Sequence, residues 1–136
     1  MANASAAVLT ALIAWALLLL ILMETLRTRL VLSGAATGPQ FRPDNANLSP
    51  FMQRLARAHA NCIEGLPIFG GLLVVALATD RSGVTDGLAP WLLLARLVQS
   101  SVHLVSTSVM AVTIRFLAFT VQMAIAAYWC WVLLLR

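Results

Sequence analysis

The chain has 136 residues, of which 61% are hydrophobic and 10% charged, and its formal net charge is +4. Ordinary soluble domains carry roughly a quarter charged residues, so these figures exclude a soluble globular domain and place the chain, as one domain, in a lipid bilayer. All nine basic residues are arginines, set at the edges of apolar runs or inside them; none forms a patch that tracks a phosphate backbone, so nucleic acid is not an expected partner.

A helix needs roughly 20 apolar residues to cross a bilayer. The first predicted span covers about residues 6–25, with Glu24 at its end. Its leading stretch, MANASAAV, carries no positive charge, and Arg27 and Arg29 follow the run. That order is the reverse of a secretory signal, so a retained span with an exported N-terminus is expected. The segment LSGAATGPQFRPDNANLSP is rich in Gly, Pro, Asn and Ser and reads as a loop. In the second span the clean apolar part, Leu66 to Thr79, is only 14 residues. The helix must therefore begin earlier, near residues 50–53, giving a span of about 53–79 with Pro67 as an expected kink. The third span, about 88–106, carries Arg96, Gln99, Ser100 and His103, and the fourth, about 116–135, is almost free of polar groups. The expected fold class is all-α, an integral membrane four-helix bundle.

The connections differ in charge. Arg27, Arg29, Arg42 and Arg54 belong to the first and Arg115 ends the third, whereas TDRSGVTDG in the second has one Arg and two Asp. By the positive-inside rule the first and third connections are cytoplasmic and both termini face the other side. Cys62 and Cys130 lie far apart, with no CxxC and no metal-ligand spacing, so both are expected to be small buried residues and no metal site is expected.

Two polar stripes stand out. Arg54, Arg57, Asn61 and Glu64 recur at spacings of three, four and three, which a helix turns to one face. His59 lies off that face and reads as structural or interfacial. Arg96, Gln99, Ser100 and His103 make a second stripe. A charge at membrane depth costs at least ~2.5–3.5 kcal/mol, so such groups pair or line a wet or ligand-filled cavity. Glu64 pairing with Arg96 would satisfy one of each. It leaves a surplus, because Arg27, Arg54, Arg57, Arg96 and Arg115 outnumber Glu24 and Glu64. Excess arginines beside a bilayer point to an anionic ligand, either a lipid phosphate or a small molecule with carboxylates.

The stretch RAHANCIE, followed by Pro67 and Phe69, resembles the second-helix signature of the MAPEG family, the membrane-associated proteins of eicosanoid and glutathione metabolism. Arg57, Ala58, His59, Asn61, Glu64, Pro67 and Phe69 carry the match. Gly38 to Gln40 resembles the same loop in the microsomal prostaglandin E synthase branch, and the four-span layout extends the likeness to nearly the whole chain. The resemblance implies a homotrimer in a bacterial inner membrane, with a glutathione site between subunits near the cytoplasmic face. It implies that glutathione, a thiol co-substrate, acts on a lipophilic small-molecule substrate by conjugation, peroxide reduction or isomerisation. In that reading Glu64 holds the ammonium of glutathione. Arg57 and an arginine at the end of the first span, Arg27 or Arg29, hold its carboxylates, and Asn61 belongs to the same set. Arg115 would face the thiol. The family's third-helix pattern is Arg-x-x-(His/Tyr)-x-x-x-Tyr; here Arg96, Gln99 and His103 occupy it, which places Arg96 and Gln99 in the ligand set and His103 where the tyrosine would donate a hydrogen bond.

The chemistry is physically consistent. A free thiol has a pKa near ~8.5 and the thiolate is the nucleophile. Lowering that pKa by about two units needs about 2.7 kcal/mol, and one arginine ~4 Å away supplies about 4 kcal/mol at an effective dielectric of 20. Two other readings share the layout: a non-catalytic membrane protein whose arginines hold anionic lipid, and a small proton-coupled transporter using Glu24 or Glu64.

Overall fold

In the computed structural model, which describes residues 3–136, the chain forms four helices: α1 (Ala4–Leu32), α2 (Pro50–Ala78), α3 (Ala89–Val105) and α4 (Val109–Leu135). Among the described residues there is no strand, and the first connection contains a single 3-10 turn at Gly38–Gln40.

Local chemistry sets the ends. The Asn3 side chain accepts from Ala6 N to open α1, and Gly34, at φ 77°, adopts the left-handed conformation that closes it. Between these signals nothing stops the helix, so α1 runs seven residues past the predicted Thr25 and carries Arg27 and Arg29 on its last turns. Ser49 accepts from Met52 N, with Pro50 at the first helical position, and α2 then continues unbroken through Pro67. Ser108 accepts from Ala111 N, so α4 starts at Val109, before the predicted residue 116, and Arg115 lies at the end of its second turn. Three helices, α1, α2 and α4, are long and apolar enough to cross a membrane. With 17 residues, α3 is about 26 Å long, less than a hydrocarbon core of about 30 Å.

Packing follows from which face each helix can give to lipid. Leu17, Leu18, Ile21, Val74, Val75 and Leu117 are exposed, as expected of side chains that meet acyl chains. Inside are two apolar clusters. One joins Val8, Leu12, Phe69, Leu73, Leu92 and Trp129 from all four helices. The other joins Ala16, Leu19, Met23, Leu55, Ala56 and Ala58 between α1 and α2, where small residues let the backbones approach. Cys62 is buried, but Cys130 is exposed on α4, contrary to expectation. A bilayer accepts a thiol on its lipid-facing surface, so being small and weakly polar does not force burial here.

Each end of the bundle is pinned by polar groups. At the end with the N-terminus, Asp86 Oδ1 accepts from Ser5 N (2.9 Å) and from the Ser5 hydroxyl (2.6 Å), which also meets Thr85. Arg81 donates to the carbonyls of Leu133 and Val132, tying the second connection to the last turn of α4. At the other end Arg27 is the clamp. Its Nη2 and Nε both donate to Asn45 Oδ1, at 2.6 and 3.1 Å, and Nη2 also donates to the Arg42 carbonyl. Asn45 is fully buried at φ 54° and donates to the Met52 carbonyl (2.8 Å), so one amide folds the first connection back between α1 and α2.

Asn45→Ala removes its bonds to Arg27 and Met52, leaves the Arg27 Nε without an acceptor and puts alanine at a positive φ. The expected loss of stability is about 2–3 kcal/mol, read as a lower thermal midpoint in detergent with helical content retained. An unchanged midpoint would show that the clamp does not hold the connection.

Candidate functional site

The four side chains of the α3 stripe, Arg96, Gln99, Ser100 and His103, are all buried. Each turns toward a different neighbour. His103 Nδ1 meets Asn61 Nδ2 of α2 at 3.4 Å, a long contact. The Ser100 hydroxyl lies 3.3 Å from Cys62 Sγ. Gln99 Oε1 accepts from Gln122 Nε2 of α4 at 2.9 Å.

Two cavities open on either side of the Asn61–His103 contact. The first, of about 450 Å³, gathers Arg54, Arg57, His103, Thr107 and Arg115, with Asp44 at its rim. The second, of about 430 Å³, is lined by Asn61, Glu64, Gln99 and Gly65 with Phe69 and Phe119 beside them. The α2 stripe therefore runs along both, arginines in one and Glu64 in the other. Phe69 and Phe119 meet edge to face, with centroids 6.3 Å apart, and supply the apolar wall.

The arginines differ in what already engages them. Arg54 Nε donates to the Leu104 carbonyl (2.9 Å), one of the last four of α3, so this arginine caps that helix. Arg57 is exposed in the first cavity, and Arg115 reaches it with a buried Nε that has no hydrogen-bond partner among the described residues. Among the described residues the one ion pair is Arg27–Glu24 (3.1 Å), so none of the arginines of the first cavity is neutralised by a direct carboxylate contact.

Of the residues expected in the site, Arg57, His103 and Arg115 come together in one cavity, and Asn61, Glu64 and Gln99 in its neighbour. Arg27 lines neither, because its donors are engaged by Asn45, Arg42 and Glu24; Arg29 lies at a separate groove. Arg96 is only 3% exposed and sits behind Gly65, its guanidinium carbon 5.7 Å from the Phe69 ring centroid and both Nη atoms without a hydrogen-bond partner among the described residues. The pairing of Glu64 with Arg96 does not form: Glu64 is exposed in the cavity, and the guanidinium rests against the aromatic face instead.

One site residue has no counterpart in the sequence reading. Gln122 is fully buried in α4, and its Nε2 donates both to Gln99 Oε1 and to the Ala118 carbonyl one turn back (3.1 Å). The backbone carbonyl can only accept, so it sets which end of the Gln122 amide carries hydrogen. That end in turn requires oxygen from Gln99, which leaves the Gln99 NH2 for the second cavity. A lone amide in an apolar span was the available signal, since an unbonded one there is costly.

Gln122→Leu should destabilise the protein by about 1–3 kcal/mol, because it strands the buried Gln99 oxygen. Adding Gln99→Leu should recover part of that loss, and a double-mutant cycle in detergent measures the coupling. Strictly additive effects would mean the two amides do not act as a unit.

The geometry is that of an arginine-rich cavity beside a partly aromatic one, with the Asn61–His103 contact between them, inside a bundle with three membrane-length helices. No curated protein and no solved structure matches the chain. The MAPEG family model matches residues 5–135 of the 136, across all the helices that build the two cavities, and this chain is an integral membrane protein of the MAPEG family.

Proposed function

We propose that the two neighbouring cavities together bind glutathione and activate its thiol for attack on, or reduction of, a lipophilic substrate delivered by the bilayer. The observation that carries this reading is the division of charge across the Asn61–His103 contact. Among the described residues Arg57 and Arg115 have no hydrogen-bonded partner on one side, and Glu64 has no ion-pair partner on the other. Glutathione has two carboxylates, one ammonium and one thiol. Arg57 suits a carboxylate and Glu64 the ammonium, while the Gln99 NH2 suits a peptide carbonyl. Arg115 then takes the thiolate: a guanidinium about 4 Å from sulfur supplies about 4 kcal/mol at an effective dielectric of 20, more than the about 2.7 kcal/mol needed for a two-unit shift. His103, buried at the edge of the arginine cavity, is the nearby hydrogen-bonding ring. Arg96 contributes its field from behind Gly65 rather than a direct contact.

Arg57, Glu64 and Ile68 are exposed along the outer face of α2, so both cavities are open there. A second copy packed on that face would close them, which supports the homotrimer with sites between subunits. The surplus of arginine at this end supports its facing the cytoplasm, with both termini opposite, as in a bacterial inner membrane. The transporter reading loses support from the same geometry, since Glu24 is exposed and paired with Arg27 and Glu64 lies at an open cavity.

Thiolate absorbance in the ultraviolet, on mixing glutathione with detergent-purified protein at neutral pH, should rise in the parent and be lost in Arg115→Ala. The Arg57→Gln/Glu64→Gln double variant should lose glutathione binding, by about 100-fold or more if each charge contact is worth 1.5–3 kcal/mol, while still assembling. Unchanged binding in the double variant would refute the pocket assignment. Binding without a thiolate signal would refute the role of Arg115 alone.

A further inference from the structure

Arg27 and Arg29 are two residues apart on α1, so the helix turns them to well-separated sides. Arg27 is fully engaged by Asn45, Arg42 and Glu24. The Arg29 guanidinium, at the basic end of the last turn, has no ion-pair partner among the described residues. It stands at the rim of a groove of about 430 Å³ between the end of α1 and the start of α2. Leu26, Leu30, Phe51 and Met52 form its apolar walls, and Ser49 lies beside them. The Ser49 oxygen accepts from Met52 N (3.3 Å), which leaves its own proton for an outside acceptor.

Depth decides what can occupy such a groove. An apolar stretch of about 20 residues spans the hydrocarbon core. Counted from Ala4 this reaches Glu24, the first charged residue of the chain. Arg29 is five residues on, about 7 Å further along the axis, and so lies at the level of the lipid headgroups. The groove thus has a cation and a hydroxyl at headgroup height with leucine and phenylalanine beside them. The surrounding field is positive, because Arg27, Arg29, Arg42, Arg54, Arg57 and Arg115 share this end with Glu24 and Asp44. A zwitterionic headgroup brings its own cation into that field, while an anionic one does not.

From this we infer that the Arg29 groove binds one anionic phospholipid, with its phosphate on Arg29 and Ser49 and an acyl chain along Leu26, Leu30 and Phe51. The site shares no lining residue with the two cavities of the thiol reading and stands independently of it.

Native mass spectrometry of the full chain, released from detergent after equal additions of phosphatidylglycerol and phosphatidylcholine with the same acyl chains, tests it. One phosphatidylglycerol per chain should remain bound, and phosphatidylcholine should not. Arg29→Gln should weaken retention about tenfold, the loss expected for one charge-assisted contact. Arg42→Gln, which removes the same charge outside the groove, should retain the lipid. Leu30→Trp, which fills the groove and keeps Arg29, should lose it. Glycerol phosphate, a headgroup without chains, should leave no adduct at the same concentration. Equal retention of the two lipids, retention by Arg29→Gln at the parental level, or binding of glycerol phosphate as strongly as of the lipid would overturn the inference. So would disulfide-linked dimers formed by Arg29→Cys once Cys130 is replaced by Ser, which would show that a second copy covers the groove.

Discussion

Everything in this bundle turns on keeping the polar face of α3 out of lipid. Arg96, Gln99, Ser100 and His103 lie along one side of a helix of 17 residues. A charged side chain facing hydrocarbon costs at least ~2.5–3.5 kcal/mol, and an unbonded amide there is also penalised. The face must therefore turn inward, and the longer helices α1, α2 and α4 supply the cover. This places a polar layer inside an otherwise apolar bundle, and the two cavities form where that layer meets the polar stripe of α2.

Arg96 sets the tightest local requirement. A Cβ at Gly65 would lie 2.6 Å from its Nη2 and 3.0 Å from the Phe69 ring, so any larger residue there would have to displace this guanidinium from the Phe69 face. Phe69, not a carboxylate, lies against the charge. The consequence reaches the site: Glu64, one residue before Gly65, is not drawn inward to neutralise Arg96 and remains exposed in the second cavity. A structural ion pair here would have removed the only acid in that cavity and with it the means to hold an ammonium.

Much of this was legible in the sequence, and the exceptions have physical causes. The spacing of three and four in RLARAHANCIEG and in the Arg96–His103 segment reports helical faces directly, and both stripes take the positions that their periodicity implies. Helix ends were less legible, because apolar runs mark the membrane core while helices end at caps. Ser108 and Gly34 are those caps, and they carry α4 and α1 beyond the apolar stretches. The role of Arg27 depends on Asn45 returning between two helices, a tertiary event with no period to betray it. Gln122 is one amide in an apolar helix and likewise makes no stripe. Exposed Cys130 reflects a different limit, since in a bilayer the outside is as apolar as the inside.

The arginines divide by what already engages them, and that division separates scaffold from ligand chemistry. Arg54 and Arg81 donate to carbonyls at the ends of α3 and α4, and Arg27 donates to the Arg42 carbonyl and the Asn45 amide oxygen of the first connection, so each joins two separate segments of the chain. Arg96 is enclosed. Arg57, Arg115 and Arg29 lie at hollows with donors to spare, but in different surroundings. The first two share their cavity with His103, Thr107 and Asp44, a polar lining that suits a water-soluble anion with several polar groups. Arg29 stands above leucine and phenylalanine, where such an anion would find little beyond the Ser49 hydroxyl while an acyl chain would find an apolar wall. Equal charge at two places thus suits different ligands in the two proposals, because the neighbours of each arginine decide which molecule could desolvate beside it.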